Sequence, residues 1–417
     1  MATTFVKEAA IPFIQTKSGY VARDNAYLDT SKQRQERYSA LGSGSGALFV
    51  NGANVDYIVR GSRLGQVDSW CIQMNITNNN IAACTLVNLM YLIDYIQVSV
   101  NSSQFNIYPE QIYQHLKFED TEETSIHSQY SNWSPATYES ASTGSGDIAA
   151  GATQTLFLEI PNIFTLTPIP ICLINQDIKM TVYLRSGTSI FDSTSAHTTA
   201  SDISIDMTNL YLSGRMFSRD QMAAVMKAQQ SGGIKYNTFT VERSIISLGV
   251  LATGTDVSQN LSSFNGYYHS LSAFIRAAGA QQERLYQYVT GVSVPNDLFQ
   301  LTNVDLNDGT GSPYYSVINR PNLYVRYVLE KQRYKSLFPT VSAYYDLSFC
   351  PDISEVAVEG GSVGLNPIDN TWTLNFRTVN SGGTNCELVV LGHQWVVAGV
   401  DPNGCFIYRP QGKNTVL

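Results

Sequence analysis

Four carboxylates grouped in one short segment are the first residues whose types and spacing could support catalysis. Glycosidases use a pair of carboxylates, one as general acid and the other as base or nucleophile. The segment lies in polar sequence, without the apolar neighbours that would raise a carboxyl pKa. A solvated acidic loop is therefore favoured over a catalytic pair. The four residues are Glu119, Asp120, Glu122 and Glu123.

Two further charged segments could bind ions. Residues 305–309, Asp-Leu-Asn-Asp-Gly, resemble part of a calcium loop, but the alternating ligand spacing and the later Glu are missing, so a plain turn is favoured. Residues 320–335 are rich in Arg and Lys and could contact phosphates. A solvated or subunit-facing helix is the favoured alternative.

The histidines and cysteines do not form metal-binding patterns. The five histidines are scattered, and His393, close to Trp395 in an apolar segment, is predicted to be a core residue. The six cysteines lack C-x-x-C spacing, which favours buried reduced thiols over a zinc site or a disulfide framework. The sequence also lacks the G-x-S-x-G, H-E-x-x-H and phosphate-loop motifs. We predict no catalytic, cofactor-binding or metal-binding residues, and a protein that is not an enzyme.

The elements that surround these residues are predicted to be strands. Polar and apolar residues alternate strictly in several short segments, which is typical of sheets with one buried face. Such segments include 96–101, 178–184, 203–208 and 371–376. A longer apolar segment at 388–397 predicts a buried strand.

A few helices are predicted between the strands. Residues 109–116 begin with Pro, which favours the first turn of a helix. Ser218 is suited to cap a helix that ends at Gly232-Gly233, with Met222, Val225 and Met226 as its apolar stripe. A further short helix is predicted to open at Pro321.

Two segments about 230 residues apart indicate a duplication. Gly151-Ala152-Thr153 precedes one strand, and Gly382-Gly383-Thr384 precedes another. We therefore predict an all-β chain of two tandem sandwiches. Its divisions are 1–45, an N-terminal arm with a helical turn or two at 32–37; 46–217, the first sandwich; 218–233, a connector helix; 234–400, the second sandwich; and 401–417, a C-terminal tail after the turn at 401–404.

Composition points to a protein that contacts other proteins. Only 14% of the residues are charged, against about 25% in typical soluble domains. The 25 tyrosines suit protein interfaces, although all-β proteins are commonly rich in Tyr. A net charge of -8 argues against direct nucleic-acid binding. The sequence shows neither a signal peptide nor an apolar run long enough to span a membrane.

The order of several short segments resembles a known family. The segments are Ile148–Thr153 before a strand, Asn75–Asn79 at the end of an early strand, the strand start Tyr344–Asp346 and the turn Asn366-Pro367. In this order they are similar to the double jelly-roll major capsid proteins of tectivirus-type bacteriophages, which are tailless and icosahedral and contain an internal membrane. The resemblance covers residues 46 to 400.

The resemblance implies two eight-stranded jelly rolls per subunit and a homotrimer of pseudo-hexagonal outline that tiles an icosahedral shell. Its partners would be itself, neighbouring capsomers, and minor capsid and vertex proteins, without direct nucleic-acid contact. The protein would be made in the host cytoplasm and located in the virion capsid. The loops at 117–150 and 280–318 would form outward towers, with Glu119, Asp120, Glu122, Glu123 and Trp133 as exposed residues.

The same resemblance places the N-terminal arm next to the internal lipid membrane. Residues 1–40 carry six basic and four acidic side chains, a balance that suits anionic headgroups. The arm lacks the pattern of a long amphipathic helix. The candidate membrane-proximal residues are Lys7, Lys17, Arg23, Lys32, Arg34 and Arg37.

Two other functions stay open on sequence alone. A vertex or spike protein that recognises the host would more commonly be a single sandwich with a stalk, and no stalk is recognisable. A carbohydrate-binding or glycan-cleaving sandwich would expose Trp or Tyr beside paired carboxylates. Trp133 is the candidate for such a sugar platform, because the other tryptophans lie in strand-like sequence.

Overall fold

Antiparallel strands account for most of the described chain. The computed structural model describes residues 32–41, 53–86, 92–114, 147–185, 202–278, 301–307, 313–317, 344–348, 372–378 and 385–410. Every strand pairing within these ranges is antiparallel. The strands form two sandwiches, one after the other along the chain.

The first sandwich contains two four-stranded sheets. Its strands are β1 (Lys32–Ser39), β2 (Asn54–Val59), β3 (Gln66–Asn78), β4 (Cys84–Thr85), β5 (Ile93–Val100), β6 (Ser103–Ile107), β7 (Asp147–Ile148), β8 (Thr153–Glu159), β9 (Ile178–Leu184) and β10 (Ile203–Met216). One sheet has the order β1-β10-β3-β8 and the other the order β2-β9-β5-β6. Among the described residues, the short strands β4 and β7 pair with each other and not with either sheet.

The second sandwich repeats this arrangement. Its strands are β11 (Ile234–Val250), β12 (Asp256–Asn260), β13 (Tyr268–Ala277), β14 (Leu301–Asn307), β15 (Pro313–Val317), β16 (Tyr344–Ser348), β17 (Thr373–Thr378), β18 (Asn385–Val400) and β19 (Phe406–Pro410). One sheet has the order β11-β18-β13-β16, with β19 added to β18, and the other the order β12-β17-β14-β15.

The strand order identifies both sandwiches as jelly rolls. When β4, β7 and β19 are set aside, each half has one sheet of its first, eighth, third and sixth strands. The other sheet contains the second, seventh, fourth and fifth strands. This is the two-sheet, eight-stranded arrangement of a jelly roll, and the prediction of an all-β double jelly roll is confirmed.

The two segments that suggested the duplication do not mark equivalent strands. β8, which follows Gly151, is the sixth strand of its sandwich, whereas β18, after Gly382-Gly383, is the eighth. The counterpart of β18 is β10. A glycine turn indicates that a strand begins but not which strand of the sandwich it is. The predicted equivalence of β8 and β18 was therefore wrong, although the duplication is real.

Alternation along the strands builds the core. In β3, Trp70, Ile72, Met74 and Ile76 are fully buried, whereas the residues between them are partly exposed. Successive side chains of a strand point to opposite faces, so one face packs inward and the other outward. The buried apolar residues of both sandwiches form one continuous cluster.

In the part of the chain that the structure describes, three α-helices and a 3-10 helix at Ile171–Leu173 lie between the strands; the α-helices are α1 (Pro109–Gln114), α2 (Ile163–Leu166) and α3 (Arg219–Gly232). Helices α1 and α3 confirm the predictions at Pro109 and Ser218. Ser218 Oγ accepts from the Gln221 amide, and the Gln221 side chain accepts from the Ser218 amide, which makes a capping box. Helix α2 was not predicted, and Asn162 caps it in the same way.

The predicted apolar stripe of α3 is partly wrong. Val225 is buried, but Met226 is 42% exposed. The buried side of α3 is formed by Gln221, Val225, Ala228 and Gln229. Gly233 follows the helix as its C-cap with a φ of 79°, and a Cβ at this position would lie only 2.9 Å from the Val400 carbonyl oxygen, so the position requires glycine.

Both chain ends contain strands that were not predicted. Lys32–Ser39 is strand β1, paired with β10 along its whole length, so the helical turn predicted at 32–37 is wrong. Phe406–Pro410, within the predicted tail, is strand β19. The local sequence of Lys32–Ser39 does not favour a strand, and pairing with the long neighbouring strand β10 decides its conformation.

Within the described ranges, the helices are too short or too polar to cross a membrane.

Candidate functional site: the junction between the two sandwiches

The predicted membrane-proximal residues fall into two groups. Lys7, Lys17 and Arg23 lie outside the described residues, while Lys32, Arg34 and Arg37 lie on β1. β1 is an edge strand of its sheet. Charged side chains on an edge discourage unwanted strand pairing, so these three residues also have a structural role.

Glu36 holds one of these basic residues in place. Its carboxylate lies 3.2 Å from Arg34 Nε and accepts from the Ser62 hydroxyl and the Arg63 amide. Lys32 and Arg37 are exposed. Of the basic residues on β1, these two are therefore free to face another surface.

The structure describes only part of the other predicted sites. Residues 119, 120, 122, 123 and 133, and the basic segment 320–335, lie outside the described residues. Asp305 and Asn307 of the calcium-loop candidate belong to β14, and Leu306 between them is fully buried. The described residues contain no group of His, Cys, Asp and Glu side chains that could hold a metal ion.

The structure confirms His393 as a core residue. His393 is 6% exposed, and its Nδ1 lies 2.9 Å from Ser270 Oγ. Its ring meets Phe239 edge to face. A Ser and a His at this distance resemble part of a catalytic pair, but both are buried, so substrate has no access to them.

A cluster of buried charges joins the two sandwiches. Glu110, at the start of α1, belongs to the first sandwich, whereas Arg276 on β13 and Glu387 on β18 belong to the second. Arg276 Nη1 lies 2.7 Å from Glu110 Oε1, and Arg276 Nε lies 2.5 Å from Glu387 Oε1. Arg276 is fully buried and Glu110 is 1% exposed. We call this cluster, with Arg243, the ionic junction.

Arg243 of β11 completes the junction from the other side. Its Nη1 donates to both carboxylate oxygens of Glu110 at 3.3 Å. Its guanidinium also stacks 4.3 Å from the centre of the Tyr108 ring, which adds a cation–π contact between the sandwiches. Each sandwich thus supplies charges that the other neutralises.

The electrostatics of the junction favour the ionised state. Burial by itself would raise the pKa of Glu110, but the charges of Arg243 and Arg276 outweigh burial and lower this pKa to about 2. Burial opposes the charge of Arg276 as well, but Glu110 and Glu387 raise the Arg276 pKa above its ordinary value. Moving the sandwiches apart would leave buried charges without their partners, which costs free energy. The ionic junction therefore holds the two sandwiches in one relative arrangement.

An aromatic seam lies beside the ionic junction. Phe164 of α2 packs on Phe406 with ring centroids 5.3 Å apart, and Phe105 of β6 stacks on Tyr408 at 5.5 Å. Phe164 also stacks on the core residue Trp70. The seam therefore connects the interior of the first sandwich to strand β19 of the second.

The predicted turn at 401–404 is confirmed and belongs to the same contact. Asp401 Oδ1 accepts from the amides of Asn403 and Cys405, and the Gly404 amide donates to the Asp401 carbonyl. The amide of Asn175, in the first sandwich, donates to the Gly404 carbonyl at 2.9 Å. The turn thus docks the end of β18 on the first sandwich.

The ionic junction was not predicted from the sequence. Glu110 was considered only as a helix residue, and Arg276 and Glu387 were not singled out. The available signal was a charged residue inside an apolar strand, as in Phe274-Ile275-Arg276 and Cys386-Glu387-Leu388. Such residues are rarely buried unless they are paired.

Comparisons with known proteins identify the fold. No protein-family model and no curated protein matches the sequence. Among solved structures, PBCV-1 VP54, fitted into a reconstruction of the virophage Sputnik, is 14% identical with a TM-score of 0.61, over 93% of this chain and 98% of that chain.

Two further structures agree with this result. The PBCV-1 virus capsid is 12% identical with a TM-score of 0.62, over 93% of this chain and 98% of that chain. The Faustovirus major capsid protein is 10% identical with a TM-score of 0.56, over 99% of this chain and 98% of that chain. At these identities the likeness shows a shared fold over nearly the whole chain: two tandem jelly rolls, as in these viral capsid structures.

Proposed function

We propose that this protein is a viral major capsid protein that acts by self-assembly and catalyses no reaction. The observation that supports it best is the repeated jelly-roll order, with the two copies coupled by the ionic junction. A rigid pair of similar domains is suited to a shell, because it offers similar surfaces to several neighbours at once.

In this proposal three subunits form a capsomer of pseudo-hexagonal outline. The two wall domains are the sandwiches β1–β10 and β11–β19, and α3 connects them. Six similar domains around a three-fold axis can meet six neighbours in nearly equivalent ways. Minor capsid and vertex proteins complete the icosahedral shell, and the protein is made in the host cytoplasm before it enters the virion.

The narrower form of the proposal concerns the type of virus. It is a tectivirus-type bacteriophage with an internal membrane, and the N-terminal arm contacts the lipid. The support is the resemblance in segment order and the basic excess of residues 1–40. Lys32 and Arg37, exposed on β1, would add to that basic surface.

The described tryptophans do not favour a carbohydrate-binding function. Trp70, Trp372 and Trp395 are at most 8% exposed, so they cannot stack on a sugar. Trp133 lies outside the described residues.

The first experiment is the mass of the purified protein in solution by light scattering at neutral pH. We expect a species of three times 46.0 kDa that survives dilution, and pseudo-hexagonal particles in electron micrographs of the same sample. A monomer at every concentration would contradict self-assembly.

A further inference from the structure

Asn-Gly pairs occur at three places in the sequence, and one of them lies at the contact between the two sandwiches. The pairs are 51–52, 265–266 and 403–404, and the first lies outside the described residues. Asn is a chemically labile residue. It is most labile before Gly, because glycine has no side chain to keep its backbone nitrogen away from the Asn side chain. Asn403 and Gly404 belong to the turn that docks the end of β18 on the first sandwich.

The reaction open to such a pair is deamidation through a cyclic imide. The backbone nitrogen of Gly404 attacks Cγ of Asn403, and a bond forms between these two atoms. The bond from Cγ to Nδ2 breaks, and the proton of the Gly404 nitrogen leaves, through solvent, with the departing ammonia. Water then opens the ring at either carbonyl, which gives aspartate or isoaspartate at position 403.

The docked turn holds the reacting groups apart from this pathway. The Gly404 amide donates to the Asp401 carbonyl at 3.0 Å, so its proton is engaged and its nitrogen is fixed in the turn. The Asn403 amide donates to Asp401 Oδ1 at 2.8 Å, which fixes the backbone on the other side of the Asn side chain. Cyclisation requires rotation of the peptide group between Asn403 and Gly404, and this rotation would break the turn.

The first sandwich reinforces the turn from outside. Asn175 Nδ2 donates to the Asn403 carbonyl at 2.7 Å, and the Asn175 amide donates to the Gly404 carbonyl at 2.9 Å. Gln176 Oε1 accepts from the Phe406 amide at 3.0 Å. These bonds are lost when the sandwiches separate, whereas the Asn403 side chain, which is exposed, has access to water throughout.

We propose that Asn403 is a deamidation site that reacts when the two sandwiches separate, and that its reaction makes the separation permanent. Isoaspartate continues the chain through its β-carbon, which adds a backbone atom and displaces the carbonyl that Asn175 binds. Either product also places a second carboxylate close to Asp401, and like charges repel. The altered turn therefore no longer matches the first sandwich. This inference concerns the junction of a single chain and does not depend on the proposed function.

The pair at 265–266 provides an internal control. Asn265 is exposed and lies in the loop between β12 and β13. Its amide donates to the Tyr268 hydroxyl, and its carbonyl accepts from Gln394 Nε2. Because both contacts lie within the second sandwich, separation of the sandwiches should leave the deamidation rate of Asn265 unchanged.

The test measures deamidation at both positions by peptide mass spectrometry. Wild type, the variant Asn175→Ala and a synthetic peptide spanning 398–408 are incubated in the same mildly alkaline buffer. We expect Asn403 to react at least about tenfold more slowly in the folded wild type than in the peptide, because only the open fraction of the protein reacts. Asn175→Ala removes the side-chain donor to the Asn403 carbonyl, so Asn403 should react several-fold faster in this variant. Asn265 should react equally fast in both proteins.

A second variant keeps the test available if Asn175→Ala does not fold. Gln176→Ala then replaces it, because it removes the acceptor of the Phe406 amide. An Asn403 rate in the folded wild type equal to that of the peptide overturns the inference. A rise in the variant that Asn265 shares equally does the same, because it would reflect general unfolding.

A double variant tests whether the modification prevents docking. Adding Asn403→Ala to Asn175→Ala removes the reactive amide and keeps the backbone carbonyl. After long incubation, Asn175→Ala should lose unfolding free energy in urea, whereas the double variant should keep its starting value. Equal losses in the two proteins would show that deamidation of Asn403 does not make the separation permanent.

Discussion

Replacing Glu110 by glutamine removes one charge from the ionic junction while it keeps the size and shape of the side chain. The pKa of Glu110 is about 2, compared with an ordinary value of 4.5. At about 1.4 kcal/mol per pKa unit, the difference corresponds to about 3 kcal/mol of stability at neutral pH. Removing one partner of other buried ion pairs costs about 3–5 kcal/mol, which is of the same order.

The expected result has a defined pH dependence. Because the folded-state pKa is depressed, the contribution of Glu110 is complete above about pH 4.5 and is lost as the pH falls toward about 2. The stability difference between wild type and Glu110→Gln should therefore be largest at pH 7 and shrink in acid. Urea unfolding at equal protein concentration, repeated across this pH range, measures it.

Two companion variants separate the junction from general charge effects. Asp177→Asn removes a carboxylate that pairs with Arg60 at the surface, where the side chains are 40% and 73% exposed, so it should change stability little. Adding Arg276→Met to Glu110→Gln should cost less than the sum of the single changes, because both charges of one pair are then gone. Two results would refute the reasoning. One is a loss of unfolding free energy in Glu110→Gln below about 1 kcal/mol at pH 7, as for a surface pair. The other is a stability difference between wild type and Glu110→Gln that stays constant into acid.

Three further predictions concern local features. Ser218→Ala removes the capping box of α3 and should lower stability by about 1 kcal/mol, whereas Ser218→Asp should retain most of it; thermal unfolding compares the two. Burial raises the pKa of the Cys386 thiol to about 11, and the side chain is fully buried, so at pH 8 it should react with a thiol reagent only after unfolding, and fast labelling of Cys386 in the folded protein would contradict this. Reversal of the two exposed charges of β1, with Lys32→Glu and Arg37→Glu, should weaken co-sedimentation with anionic vesicles but preserve the oligomer; equal binding by variant and wild type would exclude these residues as the lipid contact.

Features with a local cause could be predicted from the sequence. The alternation in 178–184 corresponds to strand β9, and Ser218 and Gly233 delimit α3. The turn at 401–404 could be predicted because Asp401 and Gly404 are residue types that favour turns. Side-chain periodicity, capping and turn chemistry each act within a few residues, so a single segment contains the whole signal.

Only the tertiary structure decided the features that depend on distant residues. The conformation of Lys32–Ser39 depends on β10, which is far along the chain, and the equivalence of β18 with β10 depends on the order of strands in the sheets. Glu110 and Arg276 are 166 residues apart, and neither segment indicates the partner of its charge. The sequence determined the strands and helices that have a local signal, whereas packing determined the conformation of the strands at the two ends and which elements meet, because burial and charge pairing act between residues that only the fold brings together.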